Sequence, residues 1–264
     1  LAALLPLAER LHGGRGNRLA ALYSTLEQVR RGQGRHRAAA ESAARVVALY
    51  EATLPDSVYL AYALKTLGLN LRLVGDHAQA AAVLARAAAM FLQVEGEDSA
   101  EGQWCAINRA AALAMQQRTP AALEALSAAA ARYHAGSHRG FTWVTRLLVA
   151  ETAADLGDVA RARRELDAAG ALDAMDAGKR VRMEALRRQI GGIEGAAADD
   201  TDAAFTAGLA ASGAGGVTHA RWLRVLASRA PTPQVCEAAR RAWAEVDPTQ
   251  GAWRVEQRAL ARCR

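Results

Sequence analysis

His134 and His138 stand four residues apart, a spacing that can set two imidazoles on one helical face for a metal. Gly136 between them and Gly140 just after argue for a loop instead, and no third ligand is apparent, so neither a metal site nor a cofactor is expected. Asp199, Asp200 and Asp202 resemble a carboxylate cluster. Lying just ahead of a helical segment, they are better explained as N-capping and dipole-compensating residues than as an acid–base pair. The only Gly-Lys pair, Gly178-Lys179, has Asp173 where a phosphate-binding loop needs its first glycine. HExxH and GxSxG are both absent. An enzyme is not expected.

The cysteines carry more information. Cys236 lies 11 residues before Asp247 and Cys263 lies 12 after Gly251, so two antiparallel helices joined by that turn bring them to one height. They form either a bridge or a pair of buried reduced thiols, because sequence does not fix the helical register. A bridge implies an oxidising compartment, which for a bacterial protein means the periplasm or cell exterior; reduced thiols suit the cytoplasm. Cys105, beside Trp104, reads as an inert core thiol.

The elements that hold these residues come from composition and periodicity. The chain has 264 residues, 52% hydrophobic and only 5% aromatic, with alanine supplying much of the apolar content. That balance favours closely packed helices over sheet. The formal charge of +6 is almost wholly arginine, since Lys65 and Lys179 are the only lysines. Arg31, Arg35 and Arg37, then Arg161, Arg163 and Arg164, then Arg180, Arg182, Arg187 and Arg188 are spread along the chain, and Glu165 and Asp167 interrupt them. A nucleic-acid binder would gather its charge in one stripe with stacking aromatics, so these read as solvated helix faces and nucleic acid is not the expected partner. No apolar run is long enough to span a membrane, and no signal-peptide progression opens the chain. Because it starts at Leu1 and not at methionine, the expectation is a piece of a longer or processed protein.

Ala39, Ala80, Ala122, Ala162 and Ala203 recur at steps of 41, 42, 40 and 41 residues. Four residues after each comes Ala43, Leu84, Leu126, Leu166 or Ala207, and three further on Val46, Ala87, Ala129, Ala169 or Ala210. Steps of four and three mark one face of a helix. A second column twelve residues before the first holds Glu27, Gly68, Ala110, Ala150 and Gly191, small at every position but Glu27. Each repeat therefore has two helices, A and B.

Gly34, Gly75 and Gly157 each stand five residues before a key alanine, where a left-handed residue ends helix A. Asp76 and Asp158 can then cap helix B, and in the third repeat Thr119 caps with Pro120 at the first helical position. The A helices are expected near 17–31, 57–73, 100–116, 139–155 and 178–194, and the B helices near 36–53, 78–94, 120–134, 159–170 and 200–212. Residues 1–16 hold a short first helix or truncated repeat. After the Gly213–Gly216 break, residues 217–264 form a shortened hairpin, with helices near 217–230 and 233–246, plus a capping helix near 252–263.

The second repeat, with Leu64, Leu67, Gly68, Leu71, Gly75, Ala80, Leu84 and Ala87, resembles the tetratricopeptide repeat. A period of 40 to 42 exceeds the usual one of about 34 and is similar to the kinesin-light-chain variety. Glu95-Gly96-Glu97-Asp98-Ser99 and Ile107-Asn108-Arg109-Ala110-Ala111 carry that likeness, which covers about residues 17–212. It implies an all-α fold: a right-handed α–α superhelix, a solenoid of five to six hairpins with a C-terminal capping helix. It also implies a non-catalytic protein- or peptide-docking domain, such as the regulatory part of a bacterial serine/threonine kinase or transcription activator.

On this resemblance the inner, ligand-facing surface is made by the A helices. Its residues would be Tyr62, Lys65, Leu69 and Arg72 in the second repeat, Trp104, Asn108 and Met115 in the third, Leu147 and Glu151 in the fourth, and Arg188 in the fifth. Asn108 would bond a peptide backbone, and Lys65 with Arg72 would hold a carboxylate, which points to an acidic ligand. The alternative is an array that packs this face on another domain or on a copy of itself; Tyr62, Trp104 and Leu147 would then pack between repeats.

Overall fold

A computed structural model describes residues 5–11, 13, 16–96, 99–135, 142–170, 183–184, 186–190, 223, 227, 232–246 and 263. Among these the long elements are all α-helices: α1 (Leu5–Leu11), α2 (Asn17–Gly32), α3 (His36–Thr53), α4 (Val58–Val74), α5 (His77–Glu95), α6 (Ala100–Gln117), α7 (Pro120–Ala135), α8 (Thr142–Leu156), α9 (Val159–Gly170) and α10 (Pro233–Val246). The chain divides into two compact units, Leu1–Ala112 and Leu113–Arg264, with the divide inside α6. In the first unit α2 packs on α3, α3 on α4 and α4 on α5; in the second α7 packs on α8 and α8 on α9. Consecutive helices pack as neighbours, as the two-helix repeat requires.

Three turns are built alike. Gly34, Gly75 and Gly157 have φ of 73°, 94° and 85°, the left-handed region that only glycine enters without cost. Each glycine N–H donates to the carbonyl three residues back, Arg31, Arg72 or Ala154, at 2.9–3.2 Å. The next residue's N–H reaches the carbonyl five back, Arg30, Leu71 or Ala153, at 2.9–3.0 Å. These paired bonds satisfy carbonyls that a helix end would otherwise leave open. Asp76 Oδ1 then accepts from the Gln79 amide (3.2 Å) and Asp158 Oδ1 from the Arg161 amide (3.1 Å), opening α5 and α9. In the third repeat Arg118 takes the left-handed position itself, at φ 55°, and Thr119 Oγ1 accepts from the Ala122 amide at 3.2 Å. The expected Thr119-Pro120 helix start is therefore present.

The alanine column is core. Ala39, Ala80, Ala122 and Ala162 are buried, and so are their partners Ala43, Leu84, Leu126 and Leu166 and then Val46, Ala87, Ala129 and Ala169. Ala203, Ala207 and Ala210 lie outside the described residues. The small second column has a steric cause where it can be measured. A Cβ placed on Gly68 would lie 2.6 Å from Leu84 Cγ, so α4 and α5 touch with no room for a side chain between them. Glu27, the exception in that column, is buried yet satisfied: Asn70 Nδ2 donates to its Oε1 at 2.8 Å and Arg31 Nε at 3.0 Å.

Near the C-terminus, Cys236 of α10 is bonded to Cys263, with Cα atoms 5.6 Å apart. Of the two arrangements open to these cysteines, the structure has the bridge. Cys263 packs with Leu223, Ala227 and Ala239 in a small apolar cluster, and its carbonyl accepts from Arg240 at 2.5 Å. Among the described residues, no helix is long and apolar enough to cross a membrane. His138, Asp199, Asp200 and Asp202 lie outside the described residues.

Candidate docking face

Helix α4 lies between α3 and α5, which leaves it a narrow open stripe. Tyr59, 60% exposed, and Tyr62, 40% exposed, stand three residues apart on it, and Thr66 and Leu69 continue the same face half-buried. Burial elsewhere fixes this stripe. Leu60, Ala61, Ala63, Leu64, Leu71 and Val74 all point into the core, so the helical period turns the two tyrosines outward. Tyr59 approaches Tyr50 of α3 with ring centroids 6.0 Å apart. The Tyr62 ring meets fully buried Phe91 of α5 edge-on, at 5.0 Å and 82°. That contact holds the Tyr62 ring in a fixed plane.

Lys65 completes the group. Its Nζ sits 4.6 Å from the Tyr62 ring centroid and 2.8 Å from Glu101 Oε2 of α6. Glu95, at the end of α5, accepts from Ser99 Oγ at 2.5 Å, and Ser99 Oγ in turn accepts from the Gly102 amide at 3.0 Å to cap α6. Burial first, then the charges of Glu101 and Glu95, push the Tyr62 phenol above its usual pKa. Fully buried Cys105, one turn into α6 from Glu101, has its thiol pushed up to about 12 by burial. It is the inert core thiol expected.

Neighbouring A helices are stitched by polar bridges. Glu27 and Asn70 join α2 to α4, Lys65 and Glu101 join α4 to α6, and Gln189 Nε2 donates to Asp155 Oδ1 of α8 at 2.9 Å. Beside the first bridge is His36, whose pKa is lowered by burial and by the charges of Arg31 and Arg72, against an opposing hydrogen bond with Asn70. Arg72 thus acts on His36 while Lys65 is engaged by Glu101.

The remaining candidates separate by burial. Leu69 is half-buried on the open stripe, and Trp104 is half-buried on α6. Asn108 is fully buried, and its Nδ2 donates to the Trp104 carbonyl at 3.0 Å. Met115, Leu147 and Glu151 are buried as well, so they present nothing to a docked chain. In α8 every residue from Leu147 to Asp155 is buried, so that helix has no open inner face. Arg188 has an 11% exposed side chain and pairs with Glu184 at 2.9 Å one turn earlier. Tyr59, Glu95 and Glu101 were not foreseen. The Tyr59-x-x-Tyr62 spacing was the available signal for the first of these, while the carboxylates are brought in only by tertiary packing.

Among the described residues no group of three or more His, Cys, Asp and Glu side chains could hold a metal ion. Side chains and packing define an all-helical protein in which, among the described residues, the most exposed aromatic group lies on α4. Comparison of the sequence with models of known protein families and with curated proteins finds no match in either.

Proposed function

We propose that this chain is a non-catalytic tetratricopeptide-type domain, a right-handed superhelix of hairpins, that docks a protein or peptide on the A-helix face of its N-terminal unit. The observation that carries the reading is the exposed Tyr59–Tyr62 pair on α4, a helix otherwise sunk in the core. Two exposed tyrosines on a rigid helix offer amphipathic contact area at low entropic cost, the usual currency of recognition surfaces. The repeated glycine turns and buried alanine column support the hairpin architecture beneath it. In this reading the domain is the regulatory or sensory part of a larger bacterial signalling protein. The Cys236–Cys263 bridge favours an extracytoplasmic setting for it.

Selection from a displayed library of random dodecapeptides tests the docking role. A related set of peptides should be enriched on the wild-type domain and lost on Tyr62→Ala. Failure to enrich any set, or retention of the set by Tyr62→Ala, contradicts the reading. A structural or oligomerising role is the second reading, and the burial of α8 favours it for the C-terminal unit. Its signature is a concentration-dependent mass in sedimentation without any peptide enrichment.

A further inference from the structure

Lys65 of α4 is placed over an aromatic ring, and its position has a second use. The Tyr62 ring is 40% exposed, its plane fixed by Phe91, and the Lys65 ammonium lies 4.6 Å from its centroid while bonding Glu101 at 2.8 Å. A partly exposed ring with a carboxylate beside it is the arrangement that attracts ammonium and guanidinium groups. The Lys65 side chain itself is only 17% exposed, so its charge is spent inside this group and is not offered to an incoming anion. We infer that the Tyr62 ring and Glu101, bordered by Glu95, form a recognition site for a lysine or arginine side chain of the docked peptide, with Lys65 as its internal occupant.

The inference rests on the docking reading above and reverses the ligand charge expected from sequence. Two carboxylates and one ammonium leave the group with a net negative charge, and both carboxylates act on the Tyr62 phenol. An acidic side chain arriving here would meet the net negative charge of Glu95 and Glu101, which Lys65 offsets only in part. A basic one can replace Lys65 over the ring, and the flexible lysine stem can swing its ammonium into water. Exchange of one cation for another keeps Glu101 paired throughout, so no buried charge is left alone.

The test uses acetyl-Gly-Arg-Gly-amide and its citrulline counterpart, which keeps the shape of arginine without its charge. Each is titrated into the intact chain while the tyrosine ring resonances are followed. Lys65→Gln should bind the arginine peptide about tenfold more tightly than wild type, because the competing cation is gone. Lys65→Arg should bind like wild type, and Tyr62→Leu or Glu101→Gln should bind neither peptide. No gain in Lys65→Gln, or equal binding of the citrulline peptide, overturns the inference. A wild-type measurement covers a misfolded variant: saturating arginine peptide should raise acylation of Lys65, and unchanged reactivity overturns the inference as well. Selected peptides that are acidic and still need Tyr62 would leave docking standing and refute the cation site alone.

Discussion

Replacing Gly68 by alanine places a methyl group 2.6 Å from Leu84 Cγ and 2.8 Å from its Cδ2. Carbon atoms prefer separations of about 3.5–4.0 Å, so the intrusion is roughly 1 Å. Leu84 is fully buried and has no solvent-side space to retreat into. Overpacking of this kind costs about 1–3 kcal/mol, and the better helix propensity of alanine returns about 1 kcal/mol. A net loss of about 0–2 kcal/mol is expected for Gly68→Ala, which is about 1–3 kcal/mol worse than a helical Gly→Ala change that meets no clash. Gly32→Ala is the control, since nothing lies within 4 Å of its added methyl, and it should be neutral or slightly stabilising. Leu84→Ala alone should cost about 2–5 kcal/mol through the cavity it leaves. In the double variant the Gly68 methyl enters that cavity, so the combined loss should fall short of the sum by about 2 kcal/mol. Urea unfolding followed by far-ultraviolet circular dichroism gives all four values. Gly68→Ala as harmless as Gly32→Ala, together with strict additivity, would refute the close α4–α5 contact and with it the reason for the small-residue column.

Three further outcomes follow from the same structure. Cys105, with its thiol pushed up to about 12, should ignore a disulfide reagent at pH 8 in the native chain and react once in guanidinium; rapid native labelling would show an open core. Loss of the Cys236–Cys263 bridge should cost about 3.5 kcal/mol by chain entropy for a separation of 27 residues, measured as the shift in unfolding of Cys236→Ser/Cys263→Ser. His36 has a folded pKa below its unfolded value of 6.5, so the unfolded chain takes up the proton first. Stability should therefore decline as pH falls below about 6.5 and continue to decline until the folded pKa is passed. His36→Gln should flatten that part of the curve, and an unchanged slope assigns it elsewhere.

The hairpin elements were legible because punctuation and periodicity are local. Gly34, Gly75 and Gly157 state a left-handed helix end, Asp76, Asp158 and Thr119 state the next start, and the ten helices described in full run within a few residues of the expected bounds, while those expected near 178–194, 200–212, 217–230 and 252–263 lie wholly or mostly outside the described residues. The alanine column marked the buried face because steps of four and three leave no other phase. The site was read less well. Helical phase says which side chains share a face, but not whether another element covers that face. Leu147 and Glu151 share the phase of Tyr62 and are nonetheless buried, because α8 is enclosed from Leu147 to Asp155. Lys65 looked paired with Arg72 along one helix, yet its carboxylate, Glu101, comes from α6. Glu27 looked out of place among small residues until Asn70, 43 positions away, supplied its hydrogen bond.

Hydroxyl-radical footprinting of the intact chain, with and without a peptide enriched by display, tests the docking face most directly. Tyr59 and Tyr62 on α4 and Leu92 and Val94 on α5 are all exposed and serve as reporters of two different surfaces. The α4 reading predicts that bound peptide protects Tyr59 and Tyr62 from oxidation and leaves Leu92 and Val94 as reactive as before. Protection of Leu92 and Val94 with the tyrosines unchanged, or no protection at all, would contradict it.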